Sequence, residues 1–219
     1  CRYDNSVKSG DWCRSAAFTY LTEPMFELSG KTLGIIGLGT IGKAVAKAAE
    51  GFGMNVIAYT RTKNSDCKYK TVGLDELFSK SDFVSLHCPL NEGTKEIVNA
   101  RTLSLMKKNA FLINTARGGC VNEADLCNAL HNGTIAGAGI DVVTVEPMRE
   151  DNPLRSAPNT VITPHVAWAS VESRRRLISI VANSIEAYKK GEPFLGHSFD
   201  KEYKQAEKLE EPIVTPSTK

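Results

Sequence analysis

The sequence lacks any apolar run approaching the roughly 20 residues that a helix needs to span a bilayer, so no membrane-spanning helix is expected in it. Its opening residues, CRYDNSVKSGDW, are polar and cannot form the apolar core of a signal peptide. No Lys/Arg run dominates any segment. Lys and Arg number 27 against 25 Asp and Glu, a net charge of +2. That balance argues against a dedicated nucleic-acid binder. The densest basic cluster, Arg174-Arg175-Arg176, fits the solvated face of a helix. The cysteines, Cys1, Cys13, Cys67, Cys88, Cys120 and Cys127, include no CxxC pair, so no metal site is expected. Reduced, mostly buried thiols in a cytoplasmic protein are the simplest account of them. No internal repeat is visible. The chain starts at Cys1 rather than Met, as a partial or processed sequence would.

What is present is an ordinary globular composition, 42% apolar and 24% charged over 219 residues. That length fits one large domain or two small ones. From Lys31 onward, short apolar runs alternate with helical patterns. Strands are expected at 32–36, 55–59, 83–86, 110–114, 135–140 and 161–163, and helices near 41–50, 74–79, 100–106 and 123–131. Asn122 is placed to cap the last of these helices and Gly133 to stop it. Near-continuous apolar strands separated by helices predict an α/β fold, a doubly wound parallel sheet buried on both faces. An amphipathic helix is expected over 171–190, with Leu177, Ile178, Val181, Ile185 and Tyr188 on one face and Gly191 and Pro193 at its end. Beyond Gly196 the chain is charged and poor in apolar residues, which predicts a loosely attached tail.

Directly after the first expected strand comes GLGTIG, Gly37 to Gly42, and then a helix of small residues. Gly37 permits a tight turn, Gly39 lets backbone approach a pyrophosphate, and Gly42 lets helix and strand pack closely. The helix N-terminus presents N–H groups and a positive dipole end to phosphates. Thr40 and Ile41, between the glycines, belong to the same cofactor-binding turn. A glycine turn alone is weak evidence, but the strand before it and the helix after it make a dinucleotide site the better reading.

One absence here is informative. An NAD site usually carries Asp or Glu about 20 residues beyond the glycines, on the ribose hydroxyls. This sequence reads Tyr59-Thr60-Arg61-Thr62-Lys63, with no carboxylate before Asp66. Hydroxyls and cations suit a 2′-phosphate. The cofactor is therefore NAD or NADP, with NADP favoured through Thr60, Arg61, Thr62 and Lys63.

Three further side chains each follow an apolar run: Arg117 in INTARGG, Glu146 in GIDVVTVEP and His165 in ITPHVAWAS. Singly, each could be a turn residue, a loop acid or a core histidine. All three fall at expected C-terminal strand ends of one parallel sheet, where such folds bind ligands. Together they suit reduction of a 2-oxo acid. A guanidinium can hold the carboxylate in a two-bonded fork and polarise the carbonyl. An imidazole can deliver the proton. A carboxylate on its other ring nitrogen would fix the tautomer and raise its pKa.

Carried by GKTLGIIGLGTIG, SDFVSLHCPLNEGT, LINTARGG, GAGIDVVTVEP and ITPHVAWAS, the chain resembles the NAD-binding domain of the D-isomer-specific 2-hydroxyacid dehydrogenases over most of residues 6–192. The resemblance implies Arg117, Glu146 and His165 as catalytic residues. It implies a cofactor site lined also by Cys88, Pro89, Thr94, Thr115, Ala116 and Asp141, with Arg117 and His165 reaching cofactor and substrate. Trp168 and the TRTK segment are similar to glycerate dehydrogenase and hydroxypyruvate or glyoxylate reductase members. An indole beside the catalytic histidine would narrow the pocket towards those small substrates.

The resemblance further implies a homodimer and a small 2-oxo or 2-hydroxy acid as substrate. It also implies a substrate-domain segment ahead of this chain's first residue. The expected organisation is a dinucleotide-binding domain with its lead-in over 1–168, a helix returning towards the substrate domain over 169–195, and a flexible tail over 196–219. The competing reading is a dinucleotide sensor or scaffold without turnover, or an inactive fragment. The intact trio favours the enzyme.

Overall fold

Apolar runs rich in Ile, Val and Leu set the strands. β1 (Thr32–Ile36), β2 (Asn55–Tyr59), β4 (Phe83–Leu86) and β5 (Phe111–Asn114) are joined by β6 (Gly137–Ile140), β7 (Thr160–Ile162) and a two-residue β3 (Lys70–Thr71). All pair in parallel, in the order β3-β2-β1-β4-β5-β6-β7. The computed structural model describes residues 2–22, 24–61 and 68–192. It falls into two units, Cys1–Pro164 and His165–Lys219. Thr62, Lys63, Pro193 and the 196–219 tail lie outside the described residues.

In the first unit the sheet is covered on both faces, as a parallel sheet must be. Leu33 and Ile35 point to one face, where Ala46 and Ala49 of α2 (Thr40–Gly51) meet them. Ile36, Val84, Leu86 and Leu112 belong to the opposite cluster, with Leu77 and Phe78 of α3 (Leu74–Lys80). α4 (Ala100–Leu105) and α5 (Glu123–His131) complete the layers. Small residues on α2 let that helix lie close to β1, where the phosphate turn must be.

Helix ends follow the expected chemistry. Asn122 caps α5 by accepting from the Asp125 N–H, and Gly133 leaves the helix at φ 63°. Asn99 and Thr102 form a capping box on α4. Ahead of the sheet, a short α1 (Arg2–Lys8) and a 3₁₀ turn at Trp12–Arg14 precede a segment without regular structure. None of these three features was apparent in the sequence pattern.

The second unit holds α6 (Val171–Lys190). Ser170 caps it through the Ser173 N–H, and Gly191 ends it in the left-handed region. Leu177, Ile178, Val181, Ile185 and Tyr188 are exposed on it. No described helix is long and apolar enough to cross a membrane.

The chain moves outward from β1 to β2 and β3, then returns to pair β4 on the other side of β1. That reversal is a topological switch point. Ligands in open α/β sheets bind at such points, beyond the carboxyl ends of the strands.

Candidate active site

At the switch point the Gly37 N–H donates to the Tyr59 carbonyl at 2.9 Å, and the His87 N–H donates to the Ile36 carbonyl at 2.7 Å. The glycine turn is thereby tied to the ends of β2 and β4. Gly37 sits at φ 98°, and a Cβ there would lie 2.6 Å from the His87 carbonyl oxygen. A Cβ on Gly42 would run into the Gly37 carbonyl oxygen. Both positions are closed to any other residue. Gly39 differs: nothing lies within 4 Å of the place where its Cβ would stand. That open space is where a phosphate could approach the backbone, at the N-terminus of α2.

The turn forms the floor of a cleft of about 1040 Å³. Gly37, Gly39, Thr60, Arg61, Cys88, Pro89 and Thr94 all line it. Thr40, Ile41 and Gly42 carry the turn into α2 without lining the cleft. The lining also includes residues that the sequence pattern does not mark, among them Lys43, Lys47, Lys68 and His87. Lys43 and Lys47 are one turn apart on α2, and the first directly follows Gly42. That spacing was the available signal. Lys43, Lys47, Arg61 and Lys68 bring four cations to the lining of the cleft, against one carboxylate, Glu50. Lys68 and Glu50 pair at 2.7 Å, and this bond holds the Glu50 carboxyl below its usual range and the Lys68 ammonium above its own.

His87 is half-buried in the cleft wall, its Nε2 2.9 Å from the Ser85 hydroxyl. Burial pushes its pKa down, so the ring is neutral near physiological pH. Behind the wall, the Cys88 and Cys120 sulfurs are 4.0 Å apart. Both are buried, whereas Cys13 is exposed and Cys127 partly so. The expectation of mostly buried thiols therefore holds for two of the four described cysteines.

Further along the same carboxyl edge, β5 ends in Asn114, fully buried. Its side-chain amide donates to the Arg117 carbonyl at 3.0 Å, and its Oδ1 accepts from the Ala116 N–H at 3.0 Å. One amide thus shapes the whole Thr115-Ala116-Arg117 turn. The only sequence signal for it was a polar residue closing the apolar strand FLIN. Thr115 is exposed, and so is Arg117, whose Nη1 donates to the Ala116 carbonyl at 2.7 Å. After β6, the Asp141 carboxylate is buried and accepts from the Thr163 hydroxyl. Glu146 is exposed, and its Oε1 accepts from the Val143 N–H at 3.0 Å. Arg117, Asp141 and Glu146 thus lie beyond β5 and β6 of the first unit, outside the lining of the nucleotide-sized cleft.

His165 opens the second unit, with its backbone in the left-handed region at φ 53°. For a residue with a side chain this conformation costs of order 1–3 kcal/mol and persists only where the surroundings impose it. Trp168 is half exposed, and its indole Nε1 donates to the His165 carbonyl at 2.9 Å. The sequence reading placed an indole beside this histidine, and the two are joined here through the backbone.

Residues 1–167 match the family described as D-isomer specific 2-hydroxyacid dehydrogenase, NAD binding domain. A hydroxypyruvate reductase of Blautia hydrogenotrophica is 44% identical over 196 residues, covering 87% of this chain and 60% of that protein. A glycerate dehydrogenase of Methylorubrum extorquens is 46% identical over 193 residues, again covering 87% of this chain and 60% of that protein. Among solved structures, an acyclic imino acid reductase in complex with NADPH and D-arginine superposes with a TM-score of 0.76 at 36% identity, covering 88% of this chain and 60% of that one. The chain thus spans about 60% of the length of each of these proteins.

Proposed function

Since the chain belongs to the D-isomer-specific 2-hydroxyacid dehydrogenase family and carries its NAD-binding domain, we propose that it serves hydride transfer between NADPH and a small 2-oxo acid. Hydroxypyruvate and glyoxylate are the favoured substrates. The single observation that carries this reading is the cleft at the switch point, floored by the Gly37–Gly39 turn and open above Gly39. Its shape and the α2 N-terminus fit a pyrophosphate. The cations in its lining fit an added 2′-phosphate, which brings about two further negative charges. Lys43, Lys47 and Lys68 join Thr60 and Arg61 in that role.

When bound, the reduced nicotinamide supplies the hydride. The chain's own residues would supply the rest. Arg117, held by the Asn114-shaped turn, presents a planar fork that grips the substrate carboxylate and polarises the neighbouring carbonyl. His165 donates the proton to the carbonyl oxygen as negative charge develops there. Glu146 supports the imidazolium, and a carboxylate in that role raises the imidazole pKa. Thr115, Ala116 and Asp141 belong to the nicotinamide end of the cofactor site. Trp168, joined to the His165 carbonyl, limits the room for longer substrates. Residues 1–168 would form the nucleotide-binding part and 169–195 the helix that returns to a substrate domain. Family resemblance supports a homodimer working in the cytoplasm.

The test is oxidation of NADPH by this chain on addition of hydroxypyruvate, repeated with His165→Ala. Turnover by the parent, lost in the variant while NADPH affinity stays within about twofold, is the expected result. Equal loss of binding and turnover would remove His165 from the proton-donor role. Binding without any turnover by the parent would favour a dinucleotide-binding module instead.

A further inference from the structure

Two buried thiols remain that the proposed reaction does not use. Cys88 ends the run beyond β4 and lines the nucleotide cleft, 8% exposed. Cys120, fully buried, closes the 3₁₀ turn that follows Arg117, and the residues stand 32 apart in sequence. Their sulfurs are 4.0 Å apart. The Cys120 backbone is held on both sides: its N–H donates to the Arg117 carbonyl at 3.2 Å, and its carbonyl accepts from the Val98 N–H at 3.1 Å. On the Cys88 side, its backbone N–H lies against Gly37. The two thiols therefore bridge the phosphate turn and the arginine turn, with Cys88 in the lining of the cleft.

We propose that Cys88 and Cys120 form a peroxide-reactive dithiol, closed to a disulfide by hydrogen peroxide entering through the empty nucleotide cleft. A disulfide needs the sulfurs about 2.05 Å apart, so the two side chains must close the present 4.0 Å gap. The environment favours the chemistry. The hydrogen bond from Cys88, the Thr94 hydroxyl and the nearby Arg117 guanidinium lower the Cys120 thiol to about 7, while the shared proton and burial push the Cys88 thiol up. The anion of the pair rests mainly on Cys120, and passage of the shared proton from Cys88 to Cys120 across the 4.0 Å contact supplies the Cys88 thiolate.

The steps balance. The Cys88 thiolate attacks one peroxide oxygen: an S–O bond forms, the O–O bond breaks, and sulfur gives up two electrons. The departing hydroxide takes the proton held by Cys120 and leaves as water. The Cys120 thiolate then attacks the Cys88 sulfur, so that an S–S bond forms, the S–O bond breaks, and hydroxide leaves to be protonated to water. In sum, two thiols and one hydrogen peroxide give one disulfide and two waters.

Because Cys88 lines the cleft, bound nucleotide would shield it, and this clause alone rests on the nucleotide reading above. At a nucleotide concentration ten times its Kd, the open fraction and hence the rate fall about tenfold.

The experiment treats the reduced full chain with hydrogen peroxide, blocks remaining thiols and maps the peptides by mass, with and without NADP⁺. The expected map shows a Cys88–Cys120 cross-linked pair, lighter by two hydrogens, ahead of Cys13 oxidation. Cys120→Ser should give no cross-link and leave Cys88 as a sulfenic acid captured by a dione probe. Recovery of Cys88 and Cys120 as free thiols while exposed Cys13 is oxidised would overturn the proposal. So would progress of Cys88 in the parent chain to sulfinic acid without a cross-link. NADP⁺ binding is measured in the same samples by calorimetry. NADP⁺ that binds without slowing the cross-link would overturn the cleft route. NADP⁺ that does not bind counts against the nucleotide reading, and the peptide map still decides the dithiol.

Discussion

Replacing Gly37 by alanine adds one methyl group at the most confined point of the phosphate turn. At φ 98° the new Cβ would stand 2.6 Å from the His87 carbonyl oxygen and 2.7 Å from the Cys88 backbone nitrogen. Neither neighbour is a side chain that can swing away. The turn itself is anchored, because Gly37 bonds Tyr59 at 2.9 Å and His87 bonds Ile36 at 2.7 Å. The left-handed backbone costs a residue with a Cβ about 1–2 kcal/mol, and forced overpacking adds about 1–3 kcal/mol. A total of about 2–5 kcal/mol, at about 2–4 °C per kcal/mol for a chain of this size, lowers Tm by roughly 4–20 °C. Gly39→Ala is the contrast. Its backbone has φ −79° and nothing lies within 4 Å of the added methyl. Such a change costs about 0.5 kcal/mol or less, or about 1–2 °C. The methyl would nevertheless occupy the approach of the pyrophosphate. Thermal unfolding and NADPH titration of both variants check this: Gly37→Ala loses stability, and Gly39→Ala loses affinity while keeping its fold. A Gly37→Ala protein with the parent Tm, or a Gly39→Ala protein with the parent affinity, would refute the reasoning.

Arg61→Ala should weaken NADPH by about tenfold to a hundredfold, the worth of a charge-assisted bond to phosphate of about 1.5–3 kcal/mol, and leave NADH within about twofold. Equal weakening of both would place Arg61 away from the 2′-phosphate. Asp82 gives a pH prediction. Burial raises its pKa, but the Thr32 N–H at 2.8 Å and the Lys107 ammonium at 2.9 Å outweigh that and hold the carboxyl below its ordinary value. A depressed folded pKa stabilises above the unfolded value of about 3.9, and the contribution is lost as pH falls through the lower folded value. Asp82→Asn should therefore cost about 1–3 kcal/mol at neutral pH and converge with the parent in acid. A constant difference across that range, followed by denaturant unfolding, would contradict the assignment. Asn114→Ala should release the Arg117 turn and cost about 1–3 kcal/mol for the unsatisfied buried backbone groups. Unchanged stability by denaturant unfolding would show that the Arg117 carbonyl and Ala116 N–H do not depend on that amide.

The strands at Thr32–Ile36, Asn55–Tyr59 and Phe83–Leu86 were legible to the residue, because each is an apolar run bounded by glycine or polar residues. Strand ends differed where local bonding took over. Ala110 donates to the Lys107 carbonyl in a turn, so the ladder begins at Phe111. The strand expected from Ile135 begins at Gly137, and the one expected at Val161 begins at Thr160. β3 has no apolar signal at all: Lys70 and Thr71 are exposed and owe their form to pairing with Ile57 and Ala58. The glycine turn and Thr60-Arg61 were legible because backbone geometry and charge leave local marks. Lys68, His87 and the Cys88–Cys120 contact were not, since only the folded sheet brings positions so far apart in sequence to one cleft.

The most direct test of the account is a calorimetric titration of this chain with NADPH and with NADH. The account predicts one saturable site per chain, NADPH binding more tightly than NADH, and loss of that site in Gly39→Ala. Failure of either nucleotide to bind the folded parent chain would contradict it.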